Sequence, residues 1–155
     1  MVEVSALKNA YLVAGLTDEQ IQQVAAIATV RDYSSARPLV QLGEPSDEVF
    51  VILSGHVMFT THDGDTLGEC STNSVVGEMG LVDAMPHDAH VTTRGPVVAA
   101  VFNTAELRRL MRQNRDWGFV MLCNVARVLS ARLRQSDARI DELCDQATPA
   151  WEHAL

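Results

Sequence analysis

The feature that most constrains this fold is a series of short β-rich runs between residues 29 and 103, with apolar side chains at every second position. Glycine, proline, aspartate and asparagine separate the runs, and the stretch from His62 to Asp65 contains an Asp-Gly pair typical of a hairpin turn. Many short strands at regular spacing predict a β-barrel or jelly roll of about eight strands. Seven of the runs are at 30–33, 39–42, 49–53, 57–61, 67–69, 91–93 and 97–102.

Helical patterns flank the β-rich region. Residues 7–16 predict a short helical turn, and Thr17 with Gln20 forms a capping box for a helix that reaches about Ala28. Asn103 caps another helix, and a longer one is predicted over about residues 117–146. The sequence therefore predicts an α+β fold with N-terminal helices, a barrel and a long C-terminal helix.

Length and composition predict one domain. The chain has 155 residues, of which 47% are hydrophobic, enough for one core. We place the domain at 1–147, with the barrel at about 29–103, the C-terminal helices at about 104–146 and a tail at 148–155. The start of the chain does not resemble a signal peptide, and its apolar runs are only of strand length, so we expect a cytoplasmic protein that does not enter a membrane.

A glycine-flanked loop carries the strongest functional signal. Gly77 and Gly80 enclose Glu78 after an apolar run, and Pro86 precedes the return to a strand. Glycines at such positions let backbone N–H groups approach an anion closely. The stretch therefore predicts a phosphate-binding loop.

The loop resembles the phosphate-binding cassette of cyclic-nucleotide-binding domains, the family that includes bacterial catabolite activators and regulatory subunits of cyclic-AMP-dependent kinases. That family has Gly-Glu, a short helix and then Pro-Arg-x-Ala-x-Val. The matching residues are Gly77, Glu78, Leu81, Pro86, Ala89 and Val91. The resemblance extends from about Leu16 to Leu143, and it implies that Glu78 would contact a ribose hydroxyl.

Three departures from the family pattern bear on function. The position of the phosphate-binding arginine is held by His87, with Asp88 beside it. Arg132 and Leu133 fall where the catabolite activator protein has a Thr-Ser pair that meets the adenine. Arg132 is therefore either a cation supplied from across the pocket or an ordinary surface arginine. Only a short tail follows the long helix, and the net charge is −8, so we expect no DNA binding.

The long helix carries a narrow apolar seam. Its residues alternate at spacings of three and four, which favours pairing with another helix. The seam contains Leu129, Leu133, Ser136, Ile140 and Leu143. Bacterial members of the family dimerise through this helix, so both the pattern and the resemblance predict a homodimer.

These features favour a regulatory or sensor module that acts through a partner protein and has a degenerate cassette, rather than an enzyme. Two alternatives stay open: binding of a cyclic mononucleotide or dinucleotide at a rearranged phosphate site, and a ligand-free docking subunit. A metal or haem site at His87, His90 and Cys70 is a weaker hypothesis, and the cofactor that the resemblance implies is a cyclic nucleotide. The candidate ligand residues are Gly77, Glu78, Met79, Gly80, Pro86, His87, Asp88, Ala89 and Arg132.

Overall fold

The computed structural model describes residues 1–83 and 85–147, apart from the side chains of residues 141 and 143–147. The predicted tail at 148–155 and the side chain of Leu143 lie outside this description. The elements, in chain order, are α1 (Val4–Leu7), a 3₁₀ turn (Tyr11–Val13), α2 (Asp18–Ala26), β1 (Thr29–Tyr33), β2 (Pro38–Val40), β3 (Glu48–Thr60), β4 (Thr66–Cys70), β5 (Val75–Val76), a second 3₁₀ turn (Glu78–Leu81), β6 (His90–Asn103), α3 (Thr104–Gln113) and α4 (Arg115–Ala147).

The strands form one antiparallel sheet. Its main path is β1-β6-β3-β4, while β2 also pairs with β6 and β5 also pairs with β3. The α+β class is confirmed, with short helices before the sheet and the long helix after it. Closure of the sheet into a barrel stays a prediction.

The predicted number of strands is wrong. About eight were expected, whereas the described part of the chain contains six, because β3 and β6 each join two of the predicted runs. Gly55 and Gly95 lie between the predicted runs, but their φ values of 97° and 82° let each strand bend and continue. The pairing of β3 with β6 shifts register between Ser54 and His56, as expected for a bulge.

Local signals at the helix ends are confirmed. The N–H of Gln20 donates to Thr17 Oγ1 over 3.3 Å, and the N–H of Thr17 donates back to Gln20 Oε1 over 2.9 Å. Asn103 Oδ1 accepts the N–H of Glu106 at the start of α3. The short helical turn predicted for residues 7–16 is confirmed in part: a 3₁₀ turn occupies Tyr11–Val13, whereas Leu7 ends α1 and the backbone is extended at Ala10.

The central strands are buried on both faces, which explains their continuous apolar sequence. On β3, Val49 and Val51 pack with the helices, whereas Phe50 and Ile52 join a second cluster on the other face. Strand β6 is divided in the same way. The sheet therefore separates two apolar clusters, and the helices cover one of them.

Helix α4 is anchored at its N-terminal half. Trp117, Met121 and Val125 are buried in the cluster shared with the N-terminal helices. The side-chain amide of buried Asn124 donates to the carbonyl oxygens of Leu12 and Ala14, over 3.3 and 2.8 Å. The first 3₁₀ turn is therefore fixed to α4. None of the helices in the described ranges has the length and apolar character needed to span a membrane.

Candidate ligand site

The glycine-flanked loop leaves β5 and lies against the start of β3. Gly77 has φ 81°, and a Cβ atom there would lie 2.6 Å from the carbonyl oxygen of Glu48. A Cβ atom on Gly80 would lie 2.6 Å from Cβ of Ser46. Both positions therefore need glycine, the first for its backbone conformation and both for close packing. This requirement explains why two glycines flank Glu78.

Glu78 is the buried acid of the loop. Only 2% of its surface is exposed, and its carboxylate forms an ion pair with the guanidinium of Arg132 on α4. About two fifths of the Arg132 side chain remains exposed, at 40%. A buried carboxylate requires such a partner, because an unpaired charge away from water is strongly unfavourable. The pair joins the loop directly to the long helix.

Tyr11, from the first 3₁₀ turn, lies beside this pair. Burial, reinforced by the negative charge of Glu78, raises the pKa of the Tyr11 hydroxyl well above its usual range. The hydroxyl is therefore a neutral donor at physiological pH. Its oxygen is buried and makes no hydrogen bond of normal geometry within the described residues, although the Glu78 carboxylate is its main acidic neighbour.

His87 is held by the turn before β3. The N–H of Gly43 donates to the carbonyl oxygen of His87, and the N–H of His87 donates to that of Glu44, over 2.8 and 2.9 Å. Ser46 donates its hydroxyl proton to the carbonyl oxygen of Met85 over 2.6 Å, and its Oγ lies 3.4 Å from Nδ1 of His87. Since Ser46 has only one proton, we assign the imidazole proton to Nδ1, which leaves Nε2 as an acceptor.

The electrostatics around His87 disfavour an anion. Partial burial lowers the pKa of His87, and the nearby carboxylates of Asp88, Glu44 and Asp47 offset only part of this effect. The imidazole is therefore uncharged at neutral pH. The three carboxylates therefore place negative charge near the position at which the resemblance implies a phosphate-binding cation.

The profile of the family described as Cyclic nucleotide-binding domain matches residues 30–114, which is more than half of the chain. The matched segment includes the sheet, the loop and α3. This chain belongs to the cyclic nucleotide-binding domain family.

Relatives of this cyclic nucleotide-binding domain occur in several protein contexts. Glutaminase 1 of Bradyrhizobium diazoefficiens is 28% identical over 141 residues, which are 91% of this chain but only 23% of the glutaminase. The Cyclic AMP receptor protein of Thermus thermophilus is 27% identical over 142 residues, 88% of this chain and 63% of the receptor. A crystal structure of a cyclic nucleotide-binding protein from Geobacter metallireducens has a TM-score of 0.76 at 24% identity and covers 86% of this chain and 99% of that one.

The structure of the domain brings some of the candidate ligand residues together and leaves others at the rim. Glu78 and Arg132 are paired, and Gly80 and Ala89 are buried. Met79, Pro86 and Asp88 are exposed around the loop. His87 is half-buried, and its Cε1 lies 3.7 Å from the Cβ position of Gly77. The imidazole therefore faces the loop.

The metal hypothesis gains no support. Nδ1 of His90 accepts the backbone N–H of Leu42 over 3.2 Å, which engages one of its two ring nitrogens. Within residues 1–83 and the described part of 85–147, no group of three or more His, Cys, Asp or Glu residues could hold a metal ion.

The predicted seam on α4 is exposed in its later half. The exposed fractions of Leu133 and Ile140 are 63% and 57%, and Ser136 is also exposed. Leu129 packs partly against the core of its own domain. Phe119 and Leu122, which continue the same spacing towards the N terminus, are exposed as well.

Four residues of the site were missed from the sequence. Tyr11 approaches Glu78 from the N-terminal segment, and Glu44, Ser46 and Asp47 approach His87 from the turn before β3. No local spacing indicates these contacts, because they join segments that are far apart in the chain. Packing of the first 3₁₀ turn against α4 places Tyr11 beside Glu78, and hydrogen bonds between the turn before β3 and the ligand loop place the other three near His87.

Proposed function

We propose that this chain is a regulatory module whose cassette has no fixed cation for a phosphate, and that it acts through contacts with other proteins. The observation that carries this proposal is the surrounding of His87: an uncharged imidazole beside Ser46, with the carboxylates of Glu44, Asp47 and Asp88 nearby. The proposed role is regulatory rather than catalytic.

The energetic consequence for an anionic ligand is large. Loss of a charge-assisted hydrogen bond to the phosphate costs about 1.5–3 kcal/mol. A carboxylate about 4 Å from a phosphate would add up to about 4 kcal/mol of repulsion at an effective dielectric constant near 20. Exposure of Asp88 reduces this second contribution. We expect dissociation constants above roughly 10 μM for cyclic AMP and cyclic GMP.

Arg132 does not readily replace the missing arginine. Its guanidinium is paired with the buried carboxylate of Glu78, so its positive charge is already offset. A phosphate that drew Arg132 away would leave that carboxylate buried without a partner. This argument disfavours the rearranged cyclic-nucleotide site that the sequence left open.

Calorimetry with matched ligands tests the proposal. The panel contains cyclic AMP, cyclic GMP, cyclic dinucleotides and adenosine, which keeps the base and ribose hydroxyl groups but carries no phosphate. The proposal predicts that cyclic AMP binds no more tightly than adenosine. Binding of either cyclic mononucleotide below 1 μM would overturn it, because a cation would then be neutralising the phosphate.

A further inference from the structure

The junction of α3 and α4 carries a concentration of positive charge. Arg108, Arg109, Arg112 and Arg115, here called the α3 arginine patch, are four of the 12 basic residues in a chain of net charge −8. Arg109, Arg112 and Arg115 are exposed, and Arg108 is half-buried. The patch is therefore a local reversal of sign on an acidic molecule.

The apolar face of α3 fixes where the arginines can lie. Leu107 is buried, and Leu110 and Met111 pack against the same core. Arg108 and Arg112, four residues apart, lie on one side of the helix, with Arg112 exposed and Arg108 half-buried next to the packed face. Arg109 lies 3.5 Å from the carboxylate of Glu106 on the same helix.

The positive charges of the other three arginines are offset by few acidic side chains. Within the described part of the chain, Arg108, Arg112 and Arg115 take part in none of the ion pairs at 4.0 Å or less. The acidic side chain next to Arg115 in the sequence is Asp116. Three exposed or half-exposed guanidinium groups are thus available to an external acceptor.

We propose that the α3 arginine patch docks an acidic segment of a partner protein. Guanidinium groups recognise carboxylates through paired hydrogen bonds and are enriched in protein interfaces. An open surface depression of about 420 Å³ adjoins the patch and is lined by Gln113, Asn114, Arg115, Asp116 and Trp117. The depression provides polar groups next to the charges.

The helix that carries most of the patch also contacts the ligand loop. Helix α3 contacts the 3₁₀ turn that contains Glu78, and it also packs against α4. A segment bound to the exposed side of α3 would therefore bind a helix that itself packs against both elements joined by the Glu78–Arg132 pair. The inference rests on the proposed function in one respect, namely that the module acts through protein contacts.

A nucleic acid fits this surface poorly. Arg108 to Arg112 spans about 6 Å of α3, and Arg115 follows at the start of α4 after Asn114. Four guanidinium groups offer about four phosphate contacts, fewer than the roughly 6–10 of a protein whose DNA affinity falls steeply with salt. The acidic remainder of the chain would repel the rest of a polyanion.

Fluorescence anisotropy with a labelled glutamate-rich peptide tests the proposal, and the matched glutamine-rich peptide is the ligand control. The patch variant is Arg108→Gln with Arg112→Gln and Arg115→Gln. The control variant is Arg127→Gln with Arg134→Gln and Arg139→Gln, which changes the charge equally at exposed positions of α4. Circular dichroism and a thermal melt first establish that both variants are folded.

The patch variant is expected to bind the glutamate-rich peptide at least about tenfold more weakly, with the control variant within about twofold of the wild type. Equal weakening in both variants, absence of binding by the wild type, or tighter binding of duplex DNA than of the peptide would each overturn the inference. Tight binding of cyclic AMP would instead overturn the proposed absence of a fixed cation and leave this result unaffected.

Discussion

At the residue scale, the charge of the ligand loop depends on the protonation of His87. Burial lowers its pKa, and the carboxylates of Asp88, Glu44 and Asp47 raise it by less. The unfolded chain, in which a histidine titrates near 6.5, therefore binds more protons than the folded chain just below that pH. Stability contributed by neutral His87 is present above this pH and is lost as the pH falls towards the lower, folded-state pKa.

The direction of this pH dependence can be tested by comparing the stability of the wild type with that of His87→Asn. We expect the free energy of unfolding of the wild type to fall more steeply than that of the variant as the pH is lowered from about 7 to about 5. Urea denaturation at several pH values measures both slopes, and carboxylates common to the two proteins cancel in the difference. An equal or shallower slope for the wild type would contradict the assigned direction of the His87 pKa.

A glycine of the ligand loop gives a second test at this scale, with a glycine of the turn between β3 and β4 as its control. Gly64 and Gly77 have similar φ values, 86° and 81°, but only Gly77 has an atom, the Glu48 carbonyl oxygen, close to its Cβ position. Gly64→Ala is expected to lose about 1–2 kcal/mol of stability from backbone strain alone. Gly77→Ala is expected to lose about 1–3 kcal/mol more from the clash. Equal losses in chemical denaturation would show that the loop moves away from β3 without strain.

At the scale of elements, α4 joins two parts of the domain that are distant in sequence. Asn124 holds the first 3₁₀ turn through two carbonyl oxygens, and Arg132 holds the ligand loop through Glu78. Tyr11 on the held turn lies near the same Glu78 carboxylate. The first 3₁₀ turn, α4 and the ligand loop therefore all contact one another around the buried carboxylate of Glu78.

Replacement of Arg132 tests whether these contacts around Glu78 stabilise the domain. Arg132→Gln leaves the Glu78 carboxylate buried without its partner, and we expect a loss of about 1–3 kcal/mol, reduced from that of a fully buried pair because Arg132 is partly exposed. Arg134→Gln, at an exposed position nearby, should change stability by less than about 0.5 kcal/mol.

The double variant Arg132→Gln with Glu78→Gln completes this experiment. It should recover part of the loss, because an amide pair carries no buried charge. If Arg132→Gln were as stable as Arg134→Gln in urea denaturation, the ion pair would not stabilise the connection between α4 and the loop.

At the scale of the whole molecule, the sequence predicted what depends on local chemistry and missed what depends on tertiary contacts. The caps at Thr17 and Asn103 were predicted because their donors and acceptors lie within one turn. The continuity of β3 through Gly55 was not predicted, because the local sequence does not distinguish a glycine at a bulge from a glycine at a turn. The ion pair between Glu78 and Arg132 was not predicted, because the two residues are 54 apart in the chain and the sequence indicated Arg132 only as a cation from across the pocket or a surface arginine.

The exposed seam of α4 leads to a prediction about assembly. Leu133 and Ile140 are large apolar side chains in contact with water in a single chain, so we expect two copies to cover them in a homodimer. Leu133→Asp with Ile140→Asp should give monomers in analytical ultracentrifugation. Gln135→Asp with Ala138→Asp adds the same number of acids at exposed positions outside the seam and should remain dimeric. A wild-type monomer at micromolar concentration would contradict the prediction.

The central claim, that the loop lacks a fixed cation, is tested most directly by titrating His87→Arg with Asp88→Ser against cyclic AMP in a calorimeter. The account predicts that this variant binds cyclic AMP at least about tenfold more tightly than the wild type, because a charge-assisted bond of about 1.5–3 kcal/mol is restored. Its affinity for adenosine should stay unchanged, since that ligand has no phosphate. Unchanged affinity for cyclic AMP in a folded variant, or binding below 1 μM by the wild type, would contradict the account.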